Sequence, residues 1–486
     1  MSEERETIGA RSSASPEVYQ QTKFMAWFEK AFPWLLVGGA ALGLVLMIFL
    51  PVIFFQEKTA EQLLAQSNLR LALLYTTGGA IAAFGLLETY RKNTNDRAKA
   101  NADINAALKN QEHQAEVLKE QIRQFDENAF KERKAERRER YTKAVEQLGD
   151  EKAPIRMGGV YTLVGLVDEW LEEKSLSDDE RFKEGQVIIN NLCAYIRSPF
   201  TLASHYDELS QDSPTPEGIY KDKKEEFYID KAILDSEADV RLSIIKEIHD
   251  RIQGPDKNTP GAWSDFEYDF SGSTFFYPID LTNSYYAKPI NFSDSIYQSR
   301  ADFSGSTYRD EAYFGGSTYQ GRADFSRSTY KSWAYFSDST YENETNFSGS
   351  IFYQETYFGE DGYSNSSSCF TNRAPQFYDK KKRKNTLFGS PNNDFTVDID
   401  KGYPIDLDSK GIPLNCKFLT SEQKEYLEGK LQEIEKINNK LFEVKDLAKK
   451  TELLKKLRSL NEELHKWREK VTTVQVEDVA AEDTKS

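Results

Sequence analysis

Cysteine, histidine and methionine are scarce in this sequence. Its 486 residues include 3 cysteines, 4 histidines and 4 methionines. Cys193, Cys369 and Cys416 have neither the paired spacing of metal ligands nor the pattern of a disulfide framework, which agrees with a reducing compartment. Nothing in their spacing predicts a zinc site or a disulfide-stabilised fold.

The usual residues of hydrolytic catalysis are missing as well. No His-x-x-x-His pair and no Gly-x-Ser-x-Gly elbow occurs, so metal-dependent hydrolysis and serine catalysis lack their parts. The histidines are scattered along the chain, at His113, His205, His249 and His465.

Two further features resemble parts of functional sites. Gly316 to Ala323 has the glycine spacing of a phosphate-binding loop, but Arg322 and Ala323 stand where its lysine and hydroxyl residue belong. Asp302 and Asp324 share a repeat position and are candidates for acid-base chemistry, yet a strand residue between two inward ones faces solvent. We therefore expect no enzyme, no catalytic residue, no cofactor and no metal.

The most regular feature is a period of eleven residues between positions 263 and 363. An eleven-residue period also fits a helix, because 11/3 is close to 3.6, but Ser, Thr, Tyr, Asp and Gly favour strands and turns. A short period of this composition is typical of a solenoid, whose units bury residues by stacking. The first set of large residues is Phe270, Leu281, Phe292, Phe303, Phe314, Phe325, Phe336, Phe347 and Phe358, and the second, five positions later, is Phe275, Tyr286, Tyr297, Tyr308, Tyr319, Tyr330, Tyr341, Phe352 and Tyr363.

The units ADFSG, STYRD, ADFSR and STYKS resemble those of the pentapeptide-repeat family, over about residues 263 to 363. The resemblance implies a right-handed, four-sided β-helix in which a large residue and the small residue two places earlier both point inward. This sequence departs from the pattern by one extra residue in each pair of pentads, such as Glu311 or Trp333. The small position is occupied by Ala301, Ala312, Ala323 and Ala334, and less regularly by Ile279, Ile290, Thr345 and Thr356.

The extra residue decides the size of the turn. A four-sided pentapeptide turn needs 20 residues, whereas two units of eleven make 22, with the extra residue accommodated as a bulge at two opposite corners. This predicts one stacked column through Phe292, Phe314 and Phe336 and a facing column through Phe303 and Phe325. The Tyr residues should form the other two columns, with hydroxyls that reach a polar partner or the rim.

Two apolar segments precede the repeats. Ala31 to Phe55 has 25 uncharged residues, enough to cross a bilayer, and it is too long for the apolar region of a signal peptide. Leu71 to Leu87 is at the short limit, so a buried core helix is the alternative for it. Basic residues lie outside both segments, which predicts a membrane hairpin with both termini cytoplasmic. Gly39 and Gly43 fit either packing within the hairpin or dimerisation.

A polar, helix-prone stretch follows, from Arg91 to Arg140. A heptad seam in it predicts a coiled coil and a possible homo-oligomer, with a solitary amphipathic stalk as the alternative. The run KERKAERRER at its end is typical of a solvated helix. The seam consists of Ile104, Leu108, Gln111, Ala115, Leu118, Ile122, Phe125 and Ala129.

Between the stalk and the repeats, Arg140 to Phe200 contains RYTKAVEQL, RMGGVYTL and LCAYIR. Membrane-hairpin proteins of the pentapeptide-repeat family are similar here, and the block is interpreted as a compact helical adaptor. Thr201 to Ser236 is expected to be a charged linker. An amphipathic helix from Ser236 to Ile252 should then cover the open edge of the first turn.

The charge of the repeats limits the partners. Residues 263 to 363 carry 15 acidic and 6 basic side chains, a net charge of -9 (6 minus 15), which opposes direct binding of nucleic acid. We expect an integral membrane scaffold that presents the solenoid to a protein partner in the cytoplasm. The alternatives are a DNA mimic that binds a topoisomerase, as some soluble members of the family do, and a membrane effector acting through its hairpin.

The expected fold is a membrane-anchored combination of α-helices and a β-solenoid. Thr420 with Gln423 forms a capping box that starts the last helical pair. The predicted segments are a tail at 1–30, a transmembrane hairpin at 31–90, the stalk at 91–140, the adaptor at 141–200, the linker and capping helix at 201–262, the solenoid at 263–363, an irregular segment at 364–418, a helical hairpin at 419–471 and a disordered tail at 472–486.

Overall fold

The computed structural model describes residues 16–55, 59–254, 259–360, 362, 366–444 and 446–474. The chain divides into two compact units, Met1–Asn128 and Ala129–Ser486. The start of the N-terminal tail, the repeat position Tyr363 and the tail from position 475 onward lie outside the described residues.

The first unit contains two long apolar segments, both helical. Helix α1 spans Pro16–Phe54 and helix α2 spans Ala60–Leu148. The part of α1 from Lys30 to Phe54 has a mean hydropathy of 2.6, and each helix contains a stretch long and apolar enough to cross a membrane. The second apolar segment and the predicted stalk therefore belong to one continuous helix of 89 residues.

The seam residues of α2 are exposed. Leu118, Ile122 and Phe125 expose 57%, 54% and 73% of their surfaces. Most of the exposed large apolar side chains of the stalk are those that the heptad pattern selected, with Val117 as an exception.

The second unit begins with a helical block of three main helices. They are α3 (Ala153–Leu171), α4 (Asp178–Arg197) and α6 (Lys224–Ile252), with a 3-10 turn at Thr201–His205 and a short helix α5 at Tyr206–Leu209 between the last two. The predicted start of α6 at Ser236 is wrong, because the helix begins at Lys224 inside the expected linker. Phe227 and Leu234 are buried and continue the apolar face of the later turns of α6. The lysines and glutamates around them make this apolar face hard to recognise in the sequence.

Part of the charged run before the block is bound to it, while most of its other side chains are exposed. Arg137 Nη1 lies 3.0 Å from the carboxylate of Glu173, and its guanidinium stacks over the Trp170 ring at 4.7 Å. Arg140 Nη2 binds Glu169 Oε1 at 2.7 Å. The end of α2 is therefore held against α3 by ion pairs and a cation–π contact.

The repeats form a four-sided β-solenoid with 22 residues per turn, compatible with pentapeptide repeats. The strands of the repeats pair in parallel with strands one turn away, for example Ala301 with Ala323. The strands are β1 Tyr268–Asp269, β2 Thr274–Phe275, β3 Ile279–Asp280, β4 Tyr285–Tyr286, β5 Ile290–Asn291, β6 Ile296–Tyr297, β7 Ala301–Asp302, β8 Thr307–Tyr308, β9 Ala312–Tyr313, β10 Thr318–Tyr319, β11 Ala323–Asp324, β12 Thr329–Tyr330, β13 Ala334–Tyr335, β14 Thr340–Tyr341, β15 Thr345–Asn346, β16 Ile351–Phe352, β17 Thr356–Tyr357, β18 Cys369–Phe370, β19 Tyr378–Asp379, β20 Lys384–Asn385, β21 Leu387–Phe388 and β22 Lys417–Phe418.

The four sheets are named here by their outward residues. The tyrosine face consists of β1, β5, β9, β13 and β17, and the threonine face of β2, β6, β10, β14 and β18. The aspartate face consists of β3, β7, β11 and β15, and the covered face of β4, β8, β12, β16, β21 and β22. The order of the strands along the chain places the tyrosine and aspartate faces opposite each other.

The predicted columns of large residues are confirmed. The ring of Phe314 stacks on Phe292 at 5.5 Å and on Phe336 at 5.3 Å. Phe325 stacks in the same way on Phe303, at 5.1 Å. The four alanines of the small position are fully buried, so small and large residues alternate inward as the pattern requires.

The tyrosine columns are also stacked, but their hydroxyls do not reach a polar partner. The ring centroids of Tyr297 and Tyr319 are 4.5 Å apart, and Phe303 meets the Tyr297 ring edge-on at 6.0 Å. The predicted partners are wrong because stacking directs the hydroxyls toward the apolar rings inside the solenoid. The hydroxyls that are buried without a hydrogen bond to any described residue include those of Tyr297, Tyr308, Tyr319, Tyr330 and Tyr341.

A left-handed residue forms one corner of the first eight units. Two positions after the inward residue, from Phe270 to Phe347, the backbone has a positive φ, as at Asn283 (55°) and Gly305 (74°). Residues without a β-branch are needed there, and Gly, Asn and Asp occupy most of these corners. The corners are Gly272, Asn283, Asp294, Gly305, Gly316, Arg327, Asp338 and Gly349.

The solenoid continues past the repeats, because β18, β21 and β22 in the segment 364–418, which was expected to be irregular, join its sheets. Phe370 stacks on Tyr341 at 4.6 Å, Phe377 on Phe347 at 5.1 Å, and Phe388 on Phe352 at 5.4 Å. The spacing of hydrogen-bonded serines grows from 22 to 29 residues at this point. Because the corner loops are longer here, the eleven-residue period is no longer visible in the sequence. The inward rings nevertheless stay in their columns.

The first turn is covered by the helical block, as predicted for α6, and α4 contributes as well. Gln253 Nε2 donates to the carbonyl oxygen of Thr282 at 2.5 Å. Gln186 exchanges two hydrogen bonds with the backbone of Glu267, at 2.8 and 3.0 Å. These side chains bind edge groups of the first turn, which protects it from pairing with another chain.

A C-terminal helical pair packs on the covered face. It consists of α7 (Ser421–Glu443) and α8 (Leu447–Thr472), and the predicted capping box of Thr420 and Gln423 starts α7. Outward residues Ile351 and Leu387 of the solenoid are buried in one apolar cluster with Leu427 and Leu431 of α7. One of the four faces is therefore closed by the chain itself.

Candidate interaction surface of the solenoid

The tyrosine face carries a ladder of outward aromatic rings. Tyr313 and Tyr335 stack with centroids 4.9 Å apart and planes within 3°, and Tyr335 and Tyr357 stack at 5.4 Å. Beside the ladder, Trp333 exposes 42% of its surface and donates its indole N–H to Glu355 Oε2 at 2.8 Å. The ladder and Trp333 form an ordered aromatic patch on a rigid sheet.

An alternation in the sequence places the ladder on one face. The residue before the inward Phe points outward, and it is Tyr in AYF units but Asp in ADF units. Because a turn contains two units, every AYF unit falls on the tyrosine face and every ADF unit on the opposite one. This two-unit alternation is the sequence signal for the patch, and a single unit does not contain it.

The two aspartates weighed for acid-base chemistry lie on the aspartate face, in adjacent strands. Asp302 and Asp324 are neighbours in register but expose only 7% and 8% of their surfaces, so the prediction that they face solvent is wrong. Asp324 Oδ1 accepts the backbone N–H of Ser326 at 3.0 Å, and Arg322 covers its other oxygen at 3.2 Å. The carboxylates close the corner of their own unit, which is a structural role.

A basic hairpin adjoins the aspartate face. Strands β19 and β20 pair in antiparallel register, and the turn between them contains Lys380, Lys381 and Lys382. These lysines line a cleft of about 480 Å³ together with Arg322 and Arg327. The surface beside the acidic repeats is therefore locally basic.

The segment that resembles a phosphate-binding loop is part of the sheet. The backbone N–H groups of Gly316, Thr318 and Gln320 donate to carbonyl groups of neighbouring turns at 2.8 to 2.9 Å. Tyr319 points into the core and is 1% exposed. The donors that would hold a phosphate are already used by the solenoid.

The histidines are not brought together. His249 Nε2 lies 2.7 Å from the carbonyl oxygen of Thr282, and His205 packs edge-on against the Tyr220 ring. His113 lies on α2 and His465 on α8. Within the described residues there is no group of three or more His, Cys, Asp or Glu side chains able to hold a metal ion.

The motifs of the helical block meet in a buried ion network. Glu237 accepts hydrogen bonds from Arg241 Nε at 2.8 Å and from the Tyr195 hydroxyl at 3.0 Å, and Arg156 Nη2 lies 3.1 Å from it. Arg241 is 1% exposed and donates to the carbonyl oxygen of Ile196 at 2.7 Å. Burial raises the pKa of Tyr195 to about 12, so its hydroxyl stays protonated at neutral pH. The network ties α3, α4 and α6 together.

Comparisons with family models, curated proteins and solved structures find no match for this chain. What the chain does is therefore inferred from its own geometry. The tyrosine face is the strongest candidate, since Trp333 is exposed, Tyr313 and Tyr357 are half-buried, and Tyr335, only 6% exposed, holds the two rings in one stack.

Proposed function

We propose that this protein is a non-enzymatic membrane scaffold of the pentapeptide-repeat type, whose tyrosine face binds a partner protein in the cytoplasm. Two apolar helices provide the anchor, and basic residues outside both helices support cytoplasmic termini. The solenoid then lies in the cytoplasm.

The observation that carries the proposal is the aromatic ladder of Tyr313, Tyr335 and Tyr357 beside the exposed Trp333. Tyr and Trp are enriched among the residues that dominate protein binding energies. Stacked rings on a sheet are already ordered, so binding them costs little further conformational entropy. The ladder therefore offers a preorganised surface.

The charge around the ladder indicates the kind of partner. Glu311 accepts a hydrogen bond from the Tyr313 hydroxyl, and Glu355 binds the Trp333 indole. Carboxylates next to aromatic rings favour a partner with Arg or Lys side chains, because a cation can contact both the ring face and the acid. A partner protein with a basic, aromatic-binding surface fits best.

Affinity purification of the full chain from solubilised membranes tests the proposal. We expect the proteins recovered with the wild type to be lost when Trp333→Ala and Tyr313→Ala are combined. Thr318→Ala, on the threonine face, is the matched control and should recover the same proteins as the wild type. Equal recovery by the double variant would show that the tyrosine face is not the binding surface.

The same experiment distinguishes the two alternatives. Recovery of a topoisomerase that is insensitive to Trp333→Ala would favour DNA mimicry by the acidic surface. Toxicity on overexpression that requires residues 31–90 and does not change in the double variant would favour a membrane effector.

A further inference from the structure

A cavity of about 480 Å³ lies between the first turns of the solenoid and the helical pair α7 and α8. Tyr285, Arg309, Lys288 and Asp265 line it from the solenoid side, and Glu435 and Asn438 from α7. Its volume is within the range of small-molecule sites.

The cavity lies where the apolar contacts between the covered face and α7 end. At the later turns, Ile351 and Leu387 are buried against Leu427 and Leu431. At the first turn the outward residue is Tyr285, and the facing part of α7 presents Glu435 and Asn438 beside Leu441. The two surfaces therefore remain apart and enclose polar groups.

Two buried hydrogen-bond donors line this cavity without a partner. Tyr285 is 1% exposed, and its hydroxyl makes no hydrogen bond of normal geometry within the described residues, although the Arg309 guanidinium lies beside its oxygen. The Nε of Arg309 is likewise buried and unpartnered within the described chain, while its Nη2 donates to Glu435 Oε2 at 2.8 Å. Leaving a buried donor unsatisfied is unfavourable, so both donors favour an acceptor in the cavity.

The protonation of Tyr285 suits this role. Burial raises the pKa of its hydroxyl to about 12, against the opposing effect of the Arg309 guanidinium. At neutral pH the hydroxyl keeps its proton and can therefore donate a hydrogen bond to an acceptor.

The charges and the apolar lining define the ligand further. Arg309, Lys288 and Lys450 face Asp265 and Glu435, an excess of one positive charge (3 minus 2). A monoanion suits this excess better than a doubly charged phosphate, and two donors match the two oxygens of a carboxylate. The lining also includes the apolar side chains of Pro260, Ala287, Leu441, Leu454 and Leu457.

We propose that this cavity binds a small monocarboxylic acid with an apolar body. Its carboxylate accepts hydrogen bonds from the Tyr285 hydroxyl and from Arg309 Nε. Its carbon skeleton lies against the leucines of α8.

Ligand-observed NMR on the purified full chain, with benzoate and the straight-chain carboxylates from acetate to octanoate as probes, tests this site. We expect at least one probe to bind the wild type, and its neutral amide analogue to bind at least tenfold more weakly. Tyr285→Phe should weaken that probe by roughly tenfold, the usual contribution of one hydrogen bond to a charged group. Arg309→Met should abolish binding.

Thr318→Ala, distant from the cavity, serves as the control and should bind like the wild type. The melting temperature of each variant is measured in parallel, since Tyr285→Phe removes only one atom and should leave the fold intact. Absence of binding by every carboxylate, or equal binding by the wild type and Tyr285→Phe, would overturn the proposal.

Discussion

The backbone N–H of Ser295 donates to the Oγ of Ser317, one turn further along the solenoid, across 3.1 Å. The Ser317 hydroxyl in turn donates to the carbonyl oxygen of Phe292 at 3.0 Å. The same pair of bonds recurs at other buried serines, for example at Ser328 and Ser350. Serine is therefore used in the repeat because its hydroxyl links two adjacent turns from inside.

This relationship predicts the cost of removing one serine hydroxyl. Ser317→Ala leaves the buried N–H of Ser295 without an acceptor, and we expect a loss of about 1–3 kcal/mol in the free energy of unfolding. Urea unfolding followed by circular dichroism measures it. Thr318→Ala, next in sequence but pointing outward, is the control. An equal effect of both variants would contradict the role of the Ser317 hydroxyl in linking adjacent turns.

The phenylalanine columns predict a larger effect. Phe314 is fully buried between Phe292 and Phe336, so Phe314→Ala should cost about 3–5 kcal/mol through lost burial and the cavity it leaves. Phe314→Leu fills most of that space and should cost much less. If both variants unfold at the wild-type denaturant concentration, the columns do not stabilise the solenoid.

The aspartate face allows a test that separates hydrogen bonding from charge. Asp324→Asn should be nearly neutral, because Asn291 and Asn346 accept the same backbone N–H at equivalent positions. Asp324→Ala removes the acceptor of Ser326 and should cost about 1 kcal/mol. Thermal unfolding of the two variants decides between them, and an equal loss for Asn and Ala would mean that the charge matters more than the hydrogen bond.

The membrane topology is tested by reporter fusions. With both termini cytoplasmic, a reporter active only in the cytoplasm should be inactive after Gln66 and active after Asn101. An exported-only reporter at the same two positions is the control and should give the opposite result. A cytoplasmic signal after Gln66 would reverse the proposed orientation.

The exposed seam of α2 predicts association between copies. If Leu118 and Ile122 pack against a second chain, Leu118→Gln combined with Ile122→Gln should lower the oligomer mass measured in detergent. Lys119→Gln, between them on the helix, is the matched substitution outside the seam. A monomer mass for the wild type would instead leave α2 as a solitary stalk.

Much of the solenoid was predictable because its information is local and repeated. The period of eleven residues identifies the inward positions, and the rule that one turn needs whole units leads to 22 residues per turn. The stacking of Phe292, Phe314 and Phe336 confirms this deduction. The two apolar helices were equally accessible, since length and hydropathy along one segment are enough to recognise them.

The aromatic patch was only partly accessible from the sequence. The outward position of Tyr313 and Tyr335 follows from strand alternation. The stacking of their rings depends on the number of units in each turn. Asp302 and Asp324 were misjudged for a related reason. An outward position on a strand does not ensure exposure when arginines and the neighbouring turn cover the side chain.

By itself, the sequence determined the β-solenoid, the inward residues, the helical pair and the apolar helices, because each depends on a pattern within one segment or one repeat. Only the tertiary structure decided that Phe370, Phe377 and Phe388 extend the columns, since corner loops of unequal length break the period without moving the rings. It also decided which face is covered and that Tyr285 and Arg309 share a cavity with α7. Such contacts join residues more than a hundred positions apart, as in the 126-residue separation of Arg309 and Glu435, and no local pattern encodes that distance.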